Sequence, residues 1–452
     1  MLPEPSIRSA PLLRLPSLRR LAGRLWRGDR PLFALFQSLG AQVFITLINV
    51  LTGVITARLL GAEGRGIYVA VTLWPPLLAS LATAGLGTAV VVRMRKSGEN
   101  AGALASVGLV LALVQSSIAA VCGFFLLPHF LAQYSPAVVF FAQLCLVSVL
   151  VNGVQTLMKQ AFAGAGQFRW YNLANLSPPL FYILTLIAII PFSALTADGA
   201  ILALLASGAV ATLVVVPAFV RRVRPTFEGA RAEVRPLISY STRAAVMDVV
   251  QALATNADRL VLIPLLPATE IGLYAVAFSF SRVIQLVQPA IISVVLSHMS
   301  RSSSDGPRLH DISVRFLLVA LACSCTALWL AGERLLIFTY GAEFGATHVL
   351  FRILLIEASL GVLSQATTQL FLSRDRPGVV STIQVTVLCA SLAALLILVP
   401  RYGSIGAAVG LLLAGVLRWS LLLGAMRVIL RLPLPRLYLN GADWRYLMSR
   451  LR

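Results

Sequence analysis

The stretch that decides the fold is LISYSTRAAVMDVVQALATNADRLVLIPL, residues 237–265. It is long and apolar enough to cross a bilayer as a helix, yet it carries the polar residues Ser241, Asp248, Gln251, Thr255 and Arg259. At about 100° per residue, these five side chains fall within roughly 80° of one helical face. Because a charge at the bilayer centre is costly, such a stripe favours the wall of an internal cavity. A packing seam of small and polar residues between helices is the alternative.

Composition places the rest of the chain in a membrane as well. Of the 452 residues, 58% are hydrophobic and 12% are charged, whereas a soluble domain has about 25% charged residues. The net charge of +20 comes from basic residues that separate apolar segments, so no nucleic-acid partner is predicted. The five cysteines lie inside apolar stretches and the four histidines form no cluster, so neither a metal site nor a cofactor is predicted.

The hydrophobic pattern predicts an all-α polytopic membrane protein with twelve transmembrane helices. A helix needs about 20 apolar residues to cross the hydrocarbon core. Segments of this kind lie at about residues 33–57, 67–92, 102–127, 137–158, 172–192, 199–220, 237–263, 271–297, 313–331, 349–371, 379–399 and 405–426.

The basic residues predict the orientation of these segments. If the N-terminus is cytoplasmic, 27 of the 37 Lys and Arg residues lie on the cytoplasmic side. The outer side then holds Arg58, Arg65, Arg334 and Arg401. Cytoplasmic loops of membrane proteins carry an excess of Lys and Arg, so both termini are predicted to be cytoplasmic. The other six lie within segments: Arg243, Arg259, Arg282, Arg315, Arg352 and Arg418.

The chain repeats itself with an offset of 206 residues. Leu60-Gly61-Ala62 and Gly66-Ile67-Tyr68 match Leu266-Pro267-Ala268 and Gly272-Leu273-Tyr274. The same offset moves Asp248 and Thr255 onto Gln42 and Asn49, which belong to a polar stripe on the first helix. Helices 1 and 7 are therefore predicted to face each other across one central cavity.

The repeat predicts two six-helix bundles. Because six is even, both bundles enter from the same side and are parallel, related by an axis along the membrane normal. The predicted parts are a basic cytoplasmic tail (1–32), an N-terminal bundle (33–220), a basic cytoplasmic linker (221–236), a C-terminal bundle (237–430) and a second basic tail (431–452).

Three motifs resemble a known family. They are ARLLGAEGRGIY at residues 57–68 with GLGTA at 85–89, ADRL at 257–260 with GLY at 272–274, and GAGQFRWYN at 164–172. All three are similar to polysaccharide-export flippases of the multidrug/oligosaccharidyl-lipid/polysaccharide (MOP) exporter superfamily. The likeness covers about residues 33–430. It implies two MATE-like bundles that open alternately to either face of the membrane. It also implies a cargo, an undecaprenyl-diphosphate-linked oligosaccharide, that moves from the cytoplasmic to the periplasmic leaflet of the bacterial inner membrane.

The embedded charges are the candidates for contact with such a cargo. A guanidinium fork suits a diphosphate, because it donates two parallel hydrogen bonds and stays charged when it is desolvated. The candidate substrate-binding residues are Arg282, Arg259, Arg418, Arg352, Gln42, Asn49, Gln251 and Thr255. The uncharged ones among them could bond sugar hydroxyls.

The embedded carboxylates have two interpretations. Counted along the segments at about 1.5 Å per residue, both Arg282 and Asp248 fall near the bilayer midplane. Asp248 is either the ion partner of Arg282 or, like Glu357, a site for coupling to a cation or proton.

Two other functional classes compete with a flippase. The first is a MATE-type multidrug exporter driven by a cation gradient, whose cavity should carry acids rather than arginines. The second is a membrane-embedded enzyme, which would need a large hydrophilic loop that this sequence does not contain. The protein is therefore predicted not to be an enzyme. Its predicted partners are the lipid-linked oligosaccharide, anionic phospholipids at the basic tails, and other polysaccharide-assembly proteins.

Overall fold

A computed structural model describes residues 30–96, 100–191, 195–286, 306–374 and 376–432. The predicted tails 1–32 and 431–452 lie almost entirely outside these ranges. So does the second half of the predicted segment 271–297.

The described chain is built from α-helices and short 3-10 turns. The helices are α1 (Arg30–Thr72), α2 (Trp74–Ala82), α3 (Leu86–Lys96), α4 (Ala101–Phe130), α5 (Pro136–Cys145), α6 (Val147–Gly164), α7 (Phe168–Ile189), α8 (Ala197–Val223), α9 (Ala230–Leu265), α10 (Ala268–Ser281), α11 (Gly306–Tyr340), α12 (His348–Ser373) and α13 (Pro377–Val428). The 3-10 turns are Arg282–Leu286 and Ala342–Thr347.

Helix length and apolar character make this a multi-pass membrane protein. In the described ranges, eight helical stretches are long and apolar enough to span a bilayer. The helix α9, which carries residues 237–265, is not among them, because the charged residues Asp248, Asp258 and Arg259 reduce its apolar character. Among the helices, α1 has 43 residues and α13 has 52, so they would be about 65 and 78 Å long if straight. Each instead turns back at a glycine with positive φ, Gly61 (φ 65°) or Gly403 (φ 57°). The all-α polytopic fold is thus confirmed, while the count of twelve spans stays a prediction.

The helices start and stop close to the predicted segments, with three informative differences. The segment predicted at 67–92 is broken twice, by Pro75 in the first turn of α2 and by Gly85 (φ 75°) before α3. Proline has no N–H for the helical ladder, and glycine adopts positive φ at little cost. The region predicted as a linker, 221–236, is mostly helical, because α8 runs to Val223 and α9 begins at Ala230.

The close crossing of α1 and α10 joins the two halves of the chain. A Cβ atom built on Gly66 would lie 1.7 Å from the carbonyl oxygen of Ala268, and one on Gly272 would lie 1.8 Å from that of Ala62. The offset of 206 residues relates these two contacts, since it places Gly66 on Gly272 and Ala62 on Ala268. Only glycine allows backbones to approach this closely, as in the small-residue crossings of membrane helices.

Hydrogen bonds between the halves surround this crossing, which lies at what we call the Gly61 end of the molecule. The N–H of Ala62 donates to Glu343 at 2.9 Å. The Arg58 side chain donates to the carbonyl oxygens of Thr339, at 2.7 Å, and Phe338. These two carbonyls belong to the last turn of α11, where a cation is favourable. The two halves are therefore fastened together at this end.

The buried apolar core divides toward the opposite end. One cluster contains residues of both halves, such as Tyr68 and Leu73 from the first half and Ile263 and Tyr274 from the second. Two further clusters lie toward the other end. One is built from first-half residues with Leu237 of α9, and the other from α12 and α13. The described residues thus share one core at the Gly61 end and have separate cores at the other.

We predict that a methyl group at the crossing destabilises the protein. Gly66→Ala should lower the Tm in detergent by several degrees, because α1 and α10 would have to separate. Gly272→Ala should act similarly, and the double variant should lose less than the sum of the two, since one separation relieves both contacts. The control is Gly424→Ala on α13, where no atom lies within 4 Å of the new Cβ. Its Tm should stay level or rise slightly, because alanine favours a helix. Equal losses at Gly66 and Gly424 would contradict the prediction.

Candidate functional site

A cavity of about 450 Å³ lies within the second half of the chain, between α9, α10, α12 and α13. Three guanidinium groups line it, and we call it the arginine cavity. Its charged residues are Arg259, Arg282, Arg418, Asp258 and Glu357. Three positive charges against two negative ones leave a formal charge of +1. The predicted residues Gln251 and Thr255 line it as well, so six of the ten candidate residues meet in one place.

Arg282 lies at the transition from an α-helix to a 3-10 turn. The α-helix α10 ends at Ser281, and a 3-10 turn follows from Arg282 to Leu286. The Arg282 Nη2 atom lies 2.8 Å from the Glu357 carboxylate of α12. The alternative in which Arg282 pairs with Asp248 is therefore wrong. Sequence position alone could not choose between the two carboxylates, because helix packing decides which one comes near.

The ring of Phe278 holds two of the arginines in place. The guanidinium carbon of Arg282 lies 4.2 Å from the ring centroid, and that of Arg259 lies 5.4 Å from it. A cation over an aromatic face is stabilised by the ring quadrupole, by about 0.5–2 kcal/mol depending on solvation. Because an aromatic face accepts no conventional hydrogen bond, this contact occupies none of the N–H donors of Arg259 and leaves those of Arg282 that do not face Glu357 available.

A buried polar pair that the sequence did not predict, Tyr274 and Asp258, lies next to Phe278. The Tyr274 hydroxyl donates to the Asp258 carboxylate at 2.7 Å, and both residues are buried. Tyr274 also stacks on Phe278, with ring centroids 5.8 Å apart. An aspartate and a tyrosine on consecutive apolar helices could have predicted this hydrogen bond, because both side chains need a partner when they are buried. The pair fastens α9 to α10 next to the cavity.

Arg418 faces Glu357 from α13. A Cβ on Gly415, one helical turn earlier, would lie 3.8 Å from the Glu357 side chain, so α12 and α13 are close here. The Arg418 Nε atom is buried and has no hydrogen-bond partner among the described residues. Within the same ranges, neither Arg259 nor Arg418 lies within ion-pair distance of a carboxylate. The cavity therefore presents two guanidiniums that are not neutralised by a direct partner.

A second cavity of about 220 Å³ lies between the two halves, beneath the α1–α10 crossing, and we call it the gate cavity. Arg259 lines both cavities. Arg65, from the first half of the chain, lines the gate cavity. The assignment of Arg65 to an outer loop was wrong, since this residue is 9% exposed. The reason is that the second limb of α1 starts directly after Gly61, which brings Arg65 back against Thr56 of the first limb.

Asp248 lies outside both cavities. Its carboxylate accepts the N–H of Gly85 at 2.8 Å, just before the first residue of α3. An anion at a helix N-terminus satisfies a free donor and interacts favourably with the helix dipole. A Cβ on Gly85 would lie 2.0 Å from the Ser241 carbonyl oxygen, so the broken helix packs directly on α9. In this structure Asp248 joins α9 to the first half.

Three other candidate residues are not brought to either cavity. The guanidinium of Arg352 lies over the Trp329 ring, 5.2 Å from its centroid. Gln42 and Asn49 of α1 are exposed and line neither of the two cavities.

The described part of the chain is thus a polytopic helical bundle with a charged internal cavity. A family model described as "Polysaccharide biosynthesis protein" matches residues 35–303, more than half of the chain. The chain belongs to this family, as the sequence motifs indicated. No curated protein matches the chain in sequence.

Solved structures share the fold at low sequence identity. The lipid II flippase MurJ, in an inward closed conformation, superposes with a TM-score of 0.71 at 14% identity, covering 87% of this chain and 88% of that one. An inward-facing MATE multidrug resistance transporter gives a TM-score of 0.66 at 14% identity, covering 85% of this chain and 95% of that one. A point mutant of the Vibrio cholerae MATE transporter VcmN gives 0.60 at 16% identity, covering 88% and 97%. The MATE-like bundle is thereby confirmed.

We predict that the Arg282–Glu357 pair couples two residues energetically. Glu357→Gln should lower the Tm, because it leaves Arg282 without its counter-charge. The cost should stay below the roughly 3–5 kcal/mol of a fully buried pair, since a quarter of the Arg282 side chain is exposed (24%). The Arg282→Gln/Glu357→Gln double variant should recover part of the loss in the same thermal unfolding assay. Strict additivity of the two single losses would contradict the coupling.

We also predict that Asp248 acts mainly in structure. Asp248→Ala should cost about 0.5–2 kcal/mol of stability, the usual range for a lost helix cap. Asp248→Asn should cost less, because the amide oxygen still accepts the Gly85 N–H. Thermal unfolding measures both. Asp248→Asn should also keep transport, and its loss in a correctly folded variant would instead assign Asp248 to ion coupling.

Proposed function

We propose that the protein is a flippase that moves undecaprenyl-diphosphate-linked oligosaccharide repeat units across the bacterial inner membrane for polysaccharide biosynthesis. The cargo moves by alternating access, with both termini and the end opposite Gly61 in the cytoplasm. The Gly61 end then faces the periplasm. The family match supports a role in polysaccharide biosynthesis, and the fold shared with transporters supports movement across the membrane rather than chemistry.

The observation that carries the proposal is the set of guanidiniums in the arginine cavity. A diphosphate carries closely spaced negative oxygens, and planar guanidinium forks bind these in pairs. Arg259 and Arg418 project from α9 and α13 into one space, with no direct carboxylate partner among the described residues. An exporter of organic cations would need the opposite sign of charge here.

The Arg282–Glu357 pair supplies a release mechanism. Without cargo, the pair keeps both charges compensated at 2.8 Å. An incoming diphosphate competes with the Glu357 carboxylate for the Arg282 donors. Because the carboxylate stays close by, it can take Arg282 back when the cargo leaves. The cavity thus avoids holding a diphosphate too tightly for transport.

Uncharged polar groups in the same cavity suit the sugar part of the cargo. The Gln251 amide donates to Thr255 at 3.1 Å and accepts from Gln384 at 3.3 Å. Gln251, Thr255 and Gln384 all line the cavity. Amide and hydroxyl groups both donate and accept, so they match sugar hydroxyls of either polarity.

The arrangement of the core supports the direction of opening. The halves share one apolar core at the Gly61 end and divide into separate cores at the other. Loading of cargo from the cytoplasmic leaflet then requires α9 to release the first half at that end, where Asp248 accepts the Gly85 N–H and Glu233 pairs with Arg93 at 2.6 Å. The basic tails would contact anionic phospholipids on that side, and other polysaccharide-assembly proteins are further partners we propose.

Leaflet transfer in vesicles tests this function. The intact protein in phosphatidylcholine vesicles should transfer a polyprenyl-diphosphate oligosaccharide between leaflets. Arg418→Gln should slow transfer by about tenfold or more, since a hydrogen bond to a charged group contributes roughly 1.5–3 kcal/mol. The matched control is Arg352→Gln, which removes an embedded arginine that lies over Trp329 rather than in a cavity, and its transfer rate should stay close to that of the intact protein.

Three outcomes of this assay are informative. Equal losses in the two variants would discard the site but keep the function. No transfer by the intact protein would discard the flippase. Efflux of a cationic dye in its place would favour the multidrug exporter.

A further inference from the structure

The gate cavity contains a buried cation that the architecture does not neutralise. Arg65 is 9% exposed, and one of its terminal nitrogens donates to the Thr56 hydroxyl at 2.6 Å. Its guanidinium carbon lies 5.1 Å from the centroid of the Tyr68 ring. The Nε atom is buried without a hydrogen-bond partner, and across the described ranges no carboxylate lies within ion-pair distance of the side chain.

The walls of the gate cavity carry charge of one sign. Arg259 faces Arg65 from the second half, and the lining contains neither Asp nor Glu. The formal charge of the lining is therefore +2. Taking an unpaired charge out of water costs several kcal/mol, so a buried guanidinium without a counter-ion is a strong argument for an anionic ligand. Asn256 lines the same space, and its amide keeps one N–H for such a ligand beside the one that it donates to the Ala252 carbonyl at 2.9 Å.

The position of the gate cavity connects it with both the arginine cavity and the crossing. Arg259 and Asn256 line the gate cavity and the arginine cavity alike, so the two spaces are neighbours along α9. Arg65 directly precedes Gly66, whose backbone touches Ala268 at the crossing. An anion bound between Arg65 and Arg259 would lie directly beneath the contact that closes the Gly61 end.

We propose that Arg65 and Arg259 form a second anion subsite, which binds a phosphate or diphosphate group on the exit side of the arginine cavity. One source of this group is the diphosphate of the lipid-linked cargo, and this part of the inference rests on the proposed function. The other source is the headgroup of an anionic phospholipid. In either case the subsite holds the anion while the α1–α10 crossing is closed, and the cargo diphosphate passes from Arg282 and Arg418 to Arg259 and then to Arg65.

The test combines stability with ligand affinity in phosphatidylcholine nanodiscs. The variants are Arg65→Met, Arg65→Lys and, as a control at the same end, Arg334→Met, which alters an exposed arginine of α11. Without ligand, Arg65→Met should unfold at the same or a higher temperature, because an uncompensated buried charge is gone. Its affinity for farnesyl diphosphate should fall by about tenfold or more. Arg65→Lys should lose less, since it keeps the charge without the fork.

A second arm separates the two sources of the anion by titrating phosphatidylglycerol into the same nanodiscs. If Arg65→Met loses affinity for farnesyl diphosphate alone, the subsite binds the cargo. If it loses affinity for phosphatidylglycerol alone, the subsite binds a lipid headgroup. The inference is overturned if Arg65→Met lowers the stability without ligand and leaves both affinities at the Arg334→Met level. If Arg65→Met does not fold, unchanged affinities in Arg65→Lys overturn it as well.

The result also separates this inference from the proposed function. If the intact protein does not transfer the oligosaccharide but Arg65→Met lowers its affinity for the anion, the subsite is supported and the flippase function is not. If the intact protein transfers the oligosaccharide and Arg65→Met changes neither affinity, the flippase function is supported and the subsite is not.

Discussion

The close crossing of α1 and α10 is the constraint on which the rest of the structure depends. Backbone contact through Gly66 and Gly272 brings the halves together at one end, where Glu343 and Arg58 add hydrogen bonds. Because the crossing is so close, it leaves no room for side chains between the two backbones. The gate cavity lies beneath it between the halves, and the arginine cavity adjoins the gate cavity along α9.

Charge is distributed unevenly around these cavities. The carboxylates near them are each engaged, Asp258 with Tyr274 and Glu357 with Arg282. The guanidiniums of Arg65, Arg259 and Arg418 have no direct carboxylate partner in the part of the chain described here. The rings of Tyr68 and Phe278 stabilise two of them, Arg65 and Arg259, without neutralising their charge. Such an arrangement disfavours cations, and it is the reason why we propose an anionic cargo.

Much of the fold could be predicted from residue patterns. Apolar segments of membrane length predicted the helices, but not the breaks at Pro75 and Gly85 within the segment 67–92. The offset of 206 residues reappears as the exchange of the Gly66 and Gly272 contacts. The site was predicted in part, because Arg282, Arg259 and Arg418 do line one cavity. Arg65 was missed because hydropathy treats a charged residue beside a turn as part of a loop.

The sequence by itself determined that this is a helical membrane protein with an arginine-rich interior, since the cost of burying charges and unpaired backbone groups in a bilayer acts on composition and spacing alone. The tertiary structure decided which charges meet. Arg282 pairs with Glu357 rather than Asp248, and the Asp248 carboxylate instead accepts the N–H of Gly85. Arg65 is buried between the halves. Those outcomes depend on the rotation and crossing of helices far apart in sequence, and a difference of one residue on a helix turns a side chain by about 100°.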